Sequence, residues 1–162
     1  MSSQDQAGNQ DRVRYLCFSL GEEEFAIPLL QVKTVTGLPE VTKVPNSPPY
    51  FMGIMNLRGQ IISVLDLRKK LSIKPNEKGE TAVIIVEFSH HQIGLAVDAI
   101  NSVLSLTQNE LQARPEMMSG KNTDFVTSVY AKDSRIVLIL DVLRSLGAED
   151  KSVMDRVTAK AA

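Results

Sequence analysis

The chain has 162 residues, with 18 Lys and Arg against 19 Asp and Glu, so its formal net charge is −1. It is 43% hydrophobic and 5% aromatic, with no Trp and one Cys. That balance allows a buried core and excludes wholesale disorder, a broadly basic nucleic-acid face, an internal disulfide and a cysteine-based metal site.

Residues Met1 to Arg12 are polar and lack the apolar run of a signal peptide. The longest apolar stretches, Ala82–Val86 and Ile136–Leu140, are of strand length, far short of the about 20 residues that span a bilayer. The reading is a cytoplasmic protein with no direct membrane insertion. An N-terminal tail over 1–12 is expected to be disordered, and the body runs over 13–147. The tail over 148–162 is either flexible or a short helix, with Val153, Met154 and Val157 near one face.

The body reads as β. Leu16, Phe18 and Leu20 alternate with Cys17 and Ser19, and Phe25, Ile27 and Leu29 continue the alternation after the polar Gly21-Glu22-Glu23 turn. This predicts a first hairpin whose second strand lies at an edge or ends at Pro28, which has no N–H to donate. Four prolines between Pro39 and Pro49 make the next stretch irregular. Gly53–Leu57 and Gln60–Leu65 flank Arg58-Gly59, a second hairpin with Gly59 free to take φ > 0. Asp66 follows as the N-cap of a short helix reaching Leu71.

After a polar break over Lys74–Glu80, Val83 and Ile85 mark a strand, Ser89-His90-His91 a turn, and Ile93, Leu95 and Val97 another strand. Thr107 and Glu110 have capping-box spacing, which predicts a short helix near Leu111. Gly94 within a strand marks a bend or a close backbone approach.

The two halves repeat. Phe25, Ile27, Leu29, Val32 and Val35 correspond to Ile93, Leu95, Val97, Ile100 and Val103 at an offset of 68 (93 − 25). Ile61–Asp66 corresponds to Ile136–Asp141 at an offset of 75 (136 − 61), the difference being an insert over roughly Thr107–Asp124. Two copies of one small β-unit follow, over about 13–75 and 80–147, standing as contiguous units or exchanging strands. Units this small bury little core alone, so a third apolar layer between them is expected.

Ile54-Met55-Asn56-Leu57-Arg58-Gly59 and Val64-Leu65-Asp66-Leu67-Arg68 resemble the pattern of the CheW family, the coupling proteins of bacterial chemotaxis. Phe25-Ala26-Ile27-Pro28, Val32 and Val44-Pro45-Asn46-Ser47-Pro48 are also similar to that family. The resemblance covers about 13–147. It implies a mostly β fold of two SH3-like five-stranded β-barrels with short helices. It also implies a non-enzymatic adaptor between the cytoplasmic tip of chemoreceptors and the regulatory domain of the histidine kinase CheA, recruited to membrane-associated receptor arrays. Other CheW-like domains in rings are further implied partners.

On this resemblance Val32, Thr34, Val35, Ile54, Asn56, Leu57, Arg58 and Gly59 form the receptor- or kinase-facing region. Arg58 supplies five donors that suit a carboxylate. Family members often carry Glu where this chain has Thr34, and such a Glu could pair with Arg58. Here Arg58 needs another partner: Glu40, Asp66 or a receptor carboxylate. The usual Pro of the following strand is Ser63.

Other readings compete. Arg58 at a hairpin tip could be a solvated turn residue, Asn56 could bond the turn backbone or a partner, and the apolar positions could be core. Met52 and Met55 are ordinary filler. Asp66 and Asp141 occupy equivalent repeat positions and read as helix caps rather than a catalytic pair. His90-His91 reads as a solvated turn and Cys17 as a small packing residue. No catalytic triad order, phosphate loop or zinc pattern is present, and no cofactor is expected. The alternatives are an adaptor of a related receptor–kinase pathway not controlling motility, and a small β-barrel enzyme with His90 or Asp66 in a cleft. An adaptor that also carries a receiver domain would need more chain than the tail after Gly147 offers.

Overall fold

In the computed structural model, the residues described are 11–75, 81–88, 90–115, 125–146 and 150–155. Eleven strands are present among the described residues. β1 (Val13–Leu20) and β2 (Glu23–Pro28) form the first hairpin, and a 3-10 turn (Leu29–Gln31) leads into β3 (Val32–Gly37). β4 (Phe51–Leu57) and β5 (Gln60–Asp66) form the second hairpin, followed by α1 (Leu67–Lys70). β6 (Ala82–Phe88), β7 (His91–Val97) and β8 (Ala99–Leu106) come next. A 3-10 turn (Gln108–Glu110), β9 (Leu111–Ala113), β10 (Val126–Lys132), β11 (Arg135–Leu140) and α2 (Val142–Ser145) follow, and residues 150–155 are helical.

The strands form a six-stranded sheet in the order β8-β1-β2-β11-β10-β9 and a five-stranded sheet in the order β3-β6-β7-β5-β4. In each sheet a hairpin from one half of the chain is flanked on both sides by strands from the other half. β1–β2 sits among strands of the second repeat, and β6–β7 among strands of the first. The reason is in the hairpins. Leu16, Phe18 and Leu20 are buried on one face of β1 and Tyr15 and Cys17 on the other; Ile84 and Val86 oppose Val83 and Ile85 on β6 in the same way. A strand apolar on both faces is stable only where both faces are covered. Cys17 is thus fully enclosed, and burial pushes its thiol pKa up. β2 is an inner strand of its sheet and ends at Pro28, which stands opposite Tyr15.

The core has three parts. The largest cluster draws on both sheets, with Phe18, Phe25, Leu65, Ile84, Leu95 and Leu140 among its members. Phe18 and Phe25 stack with centroids 6.4 Å apart. A smaller cluster belongs to each sheet: Tyr15, Cys17, Ala26, Tyr130 and Val137 in one, Met55, Ile62, Val64, Val83 and Ile85 in the other. Close approach at Gly94 serves the latter, since a Cβ there would lie 2.7 Å from Val83 Cγ1.

The Thr107–Glu110 box forms, with the Glu110 carboxylate accepting from Thr107 N at 3.0 Å, yet only a 3-10 turn results and Leu111 opens β9. In the tail, Val153 and Met154 are buried against the main core, Asp150 pairs with Lys70 at 2.9 Å, and Tyr50 donates to Asp150. Val157 lies outside the described residues.

Candidate functional site

The β4–β5 hairpin turns through Arg58 (φ 52°) and Gly59 (φ 87°), the pair of positive φ angles that a two-residue turn needs to match strand twist. Arg58 thus adopts a conformation expected only of Gly59. Asn56 supports it: its Oδ1 accepts from Gly59 N at 2.9 Å, so the asparagine bonds the turn backbone. The Arg58 side chain is exposed and has no hydrogen-bond or ion-pair partner among the described residues. Of the partners considered from sequence, Asp66 is not available, because it is buried and committed to Arg68.

Val32, Thr34 and Val35 lie on β3, and Ile54, Asn56 and Leu57 on β4. These are the two outer strands of the five-stranded sheet. Val32 is half-buried against the main core, as is Ile54, while Leu57 packs on the cluster of its own sheet. Thr34 is exposed and Val35 is 39% exposed. The register slips between Val32 and Thr34, a bulge that re-aims this edge.

Sequence reasoning missed the turn just before β3. Leu30 is 96% exposed, and with Leu29, Arg12, Val13 and Arg14 it lines a surface cavity of about 350 Å³. Arg12 is tied to Ser105 O at 3.0 Å; Arg14 is exposed. The only signal was Leu29-Leu30 standing directly before Val32, and alternation had assigned Leu29 to a strand.

Asp66 caps α1 through Oδ1, which accepts from Arg68 N at 3.0 Å and Lys69 N at 3.3 Å. The same carboxylate takes Arg68 Nε at 3.0 Å, and Arg68 Nη1 reaches Asp98 Oδ1 at 2.7 Å. All three side chains are buried. Burial works against the Arg68 charge, but hydrogen bonds to Asp66 and Asp98 outweigh it and hold its pKa above the ordinary arginine value. Asp141 accepts from Arg144 N at 3.3 Å at the start of α2.

His90 occupies a turn with φ 70°, and His91 is not a solvated turn residue: it opens β7, its Nε2 2.7 Å from Asp155. Among the described residues no group of three or more His, Cys, Asp or Glu is placed to hold a metal, and no helix is long and apolar enough to cross a membrane.

The family model for the CheW-like domain matches residues 14–150. The chain belongs to the CheW-like domain family. It is 33% identical over 152 residues to the chemotaxis protein CheW of Klebsiella aerogenes, covering 93% of this chain and 92% of the relative. It is 32% identical over 138 residues to that of Bacillus subtilis, covering 84% and 88%. Among solved structures it resembles the scaffolding protein TtCheW of Thermoanaerobacter tengcongensis, with a TM-score of 0.75 and 30% identity over 85% of this chain and 90% of that one. The fold is thus the CheW-like fold, with five strands in common order in each sheet and β9 as an added sixth strand in one.

Proposed function

We propose that this protein is a non-enzymatic chemotaxis adaptor. It joins the cytoplasmic tip of chemoreceptors to the regulatory domain of the histidine kinase CheA, in the cytoplasm and within receptor arrays that further CheW-like domains help to build. The observation that carries the reading is likeness to the chemotaxis protein CheW of Klebsiella aerogenes along 93% of the chain. The surface agrees in kind: adaptors need faces for partners, and Leu29, Leu30, Val32 and Val35 offer apolar area beside Arg14, with Arg58 exposed at its hairpin tip and unpaired among the described residues. An amphipathic receptor helix would lay its apolar stripe on that strip, and a partner carboxylate would pair with Arg58 at the hairpin tip.

Co-sedimentation with a receptor cytoplasmic fragment and CheA tests this. The wild-type protein is expected to pellet with both, and Arg58→Ala to bind at least one partner about tenfold more weakly, since a charge-assisted hydrogen bond contributes about 1.5–3 kcal/mol. Failure of the wild-type protein to associate with either partner would sink the adaptor reading.

A further inference from the structure

Among the described strands the chain passes between the two sheets twice, and the two crossings occupy equivalent positions of the repeat. The first is the turn Leu29–Gln31 between β2 and β3; the second is Asp98, between β7 and β8. Leu30 and Asp98 correspond at the offset of 68 (98 − 30). Their surroundings are opposite. Leu30 is 96% exposed, whereas Asp98 is 1% exposed.

Asp98 is bonded on both sides of the crossing. Toward the five-stranded sheet its Oδ1 accepts from Arg68 Nη1 at 2.7 Å, and Arg68 is held in turn by Asp66 at the end of β5. Toward the six-stranded sheet its Oδ2 accepts from Gly21 N in the β1–β2 turn, and its own N–H donates to Ser19 O at 3.0 Å. The β1–β2 turn also lies against the segment after α1. Gly21 has φ +62°, and a Cβ there would stand 2.6 Å from Lys74 O and 2.9 Å from Ile73 Cγ2. The Ile73 N–H in turn donates to Arg68 O at 2.7 Å.

Arg68 has a planar, fixed fork of donors, so satisfying Asp66 and Asp98 together leaves it one orientation. A buried triad of this kind adds little net stability over apolar packing, and its use is to specify one arrangement. We propose that Asp66–Arg68–Asp98 is the locked joint between the sheets and that Arg68 is its positioning residue. The Leu29–Gln31 crossing has no such ionic joint among the described residues: Leu29 packs on the main core while Leu30 stands in solvent, so it is the freer one, and it leads directly into Val32. On the adaptor reading above, a partner docking at Leu29–Val35 moves the free crossing, and the locked joint makes the second sheet follow as a body rather than absorb the shift locally.

Spin labels at Gln60 on β5 and Gln112 on β9, both exposed, report the distance between the sheets; Cys17 is buried and stays unlabelled. The wild-type protein is expected to give one narrow distance distribution. Arg68→Lys and Asp98→Asn, with far-UV circular dichroism showing retained β structure, are expected to broaden it and to weaken receptor-fragment binding about fivefold or more. Arg58→Ala is expected to weaken binding and leave the distances unchanged. Folded triad variants with the wild-type distribution would overturn the joint. If Arg68→Lys does not fold, Asp98→Asn, which keeps the side-chain shape and removes the charge, decides. The distances need no partner, so loss of the adaptor reading and loss of the joint are separate results.

Discussion

The two sheets are one design carried out twice, and they agree in backbone while differing in polar detail. In the five-stranded sheet the parallel pair of β5 and β7 sets Ser63 against Ile93 and Val64 against Gly94. In the six-stranded sheet β11 and β2 set Leu138 against Phe25 and Ile139 against Ala26, the same register at the repeat offsets. Asp66 N donates to Tyr50 O at 2.7 Å, and Asp141 N donates to Phe125 O at 2.8 Å. Polar decoration does not follow. Glu24 accepts from both Arg135 and Asn101 across the six-stranded sheet, where the other sheet has Gln92, Gln60 and Lys33 at the matching positions and a single Lys33–Glu87 pair of 3.0 Å. A one-residue slip would send each apolar side chain to the opposite face and break the packing of the core clusters, so register is tightly held. Exposed polar groups cost little to change, so they diverge.

The joint is where the comparison breaks most easily. Arg68→Met would leave Asp66 and Asp98 buried without a counter-charge, and is expected to cost about 3–5 kcal/mol in urea unfolding. Asp98→Ala should cost about 3 kcal/mol, because Asp66 still faces Arg68. Leu30→Ala, at the equivalent crossing, is expected to stay within about 0.5 kcal/mol of wild type. Equal costs for Asp98→Ala and Leu30→Ala would erase the distinction between locked and free crossings.

Truncations inside the shared core should look alike instead. Ile27 and Leu95 correspond in the repeat and are both fully buried in the main cluster. Ile27→Ala and Leu95→Ala are each expected to cost about 2–5 kcal/mol, with the two values close together. Gly21→Ala is next, at about 1–3 kcal/mol, since it combines a positive φ with a Cβ driven onto Lys74 O.

The smallest effects lie on the surface pairs. Hydrogen bonding to Arg135 is the main cause that holds the Glu24 carboxyl below its ordinary 4.5. A carboxyl depressed in the folded state stabilises above its unfolded pKa, and that contribution is lost as pH falls through the folded value. Between about pH 5 and pH 3, Arg135→Gln is therefore expected to lose less stability than wild type, by no more than about 1 kcal/mol. Lys33→Gln, removing an exposed pair, is expected to change stability by about 0.5 kcal/mol or less.

Much of the backbone was legible because it is written locally. Alternation over Leu16–Leu20 and Ile93–Val97 placed strands, Asp66 placed a helix start, and Asn56–Gly59 placed a hairpin turn. The repeat offsets, read from apolar spacing alone, match the register of both sheets. Less of the candidate site was legible. The residues around Arg58 were named through a family resemblance, and the positive φ of Arg58 and the commitment of Asn56 to the turn came only with coordinates. Leu30 looked like any leucine beside a strand. Cys17 was legible as a small packing residue, but alternation along β1 says nothing about the second covered face that encloses it.

The sequence by itself determined that the chain would make paired hairpins in two matching units, since side-chain period and turn chemistry act over a few residues. Only tertiary structure decided that the central hairpins are exchanged between the sheets. Likewise, nothing near Asp98 marks it as a joint: its partner Arg68 lies 30 residues away and its other anchor, Gly21, 77. Burial and ion pairing depend on what the rest of the chain brings to a position, and that is settled when the two sheets close on their common core.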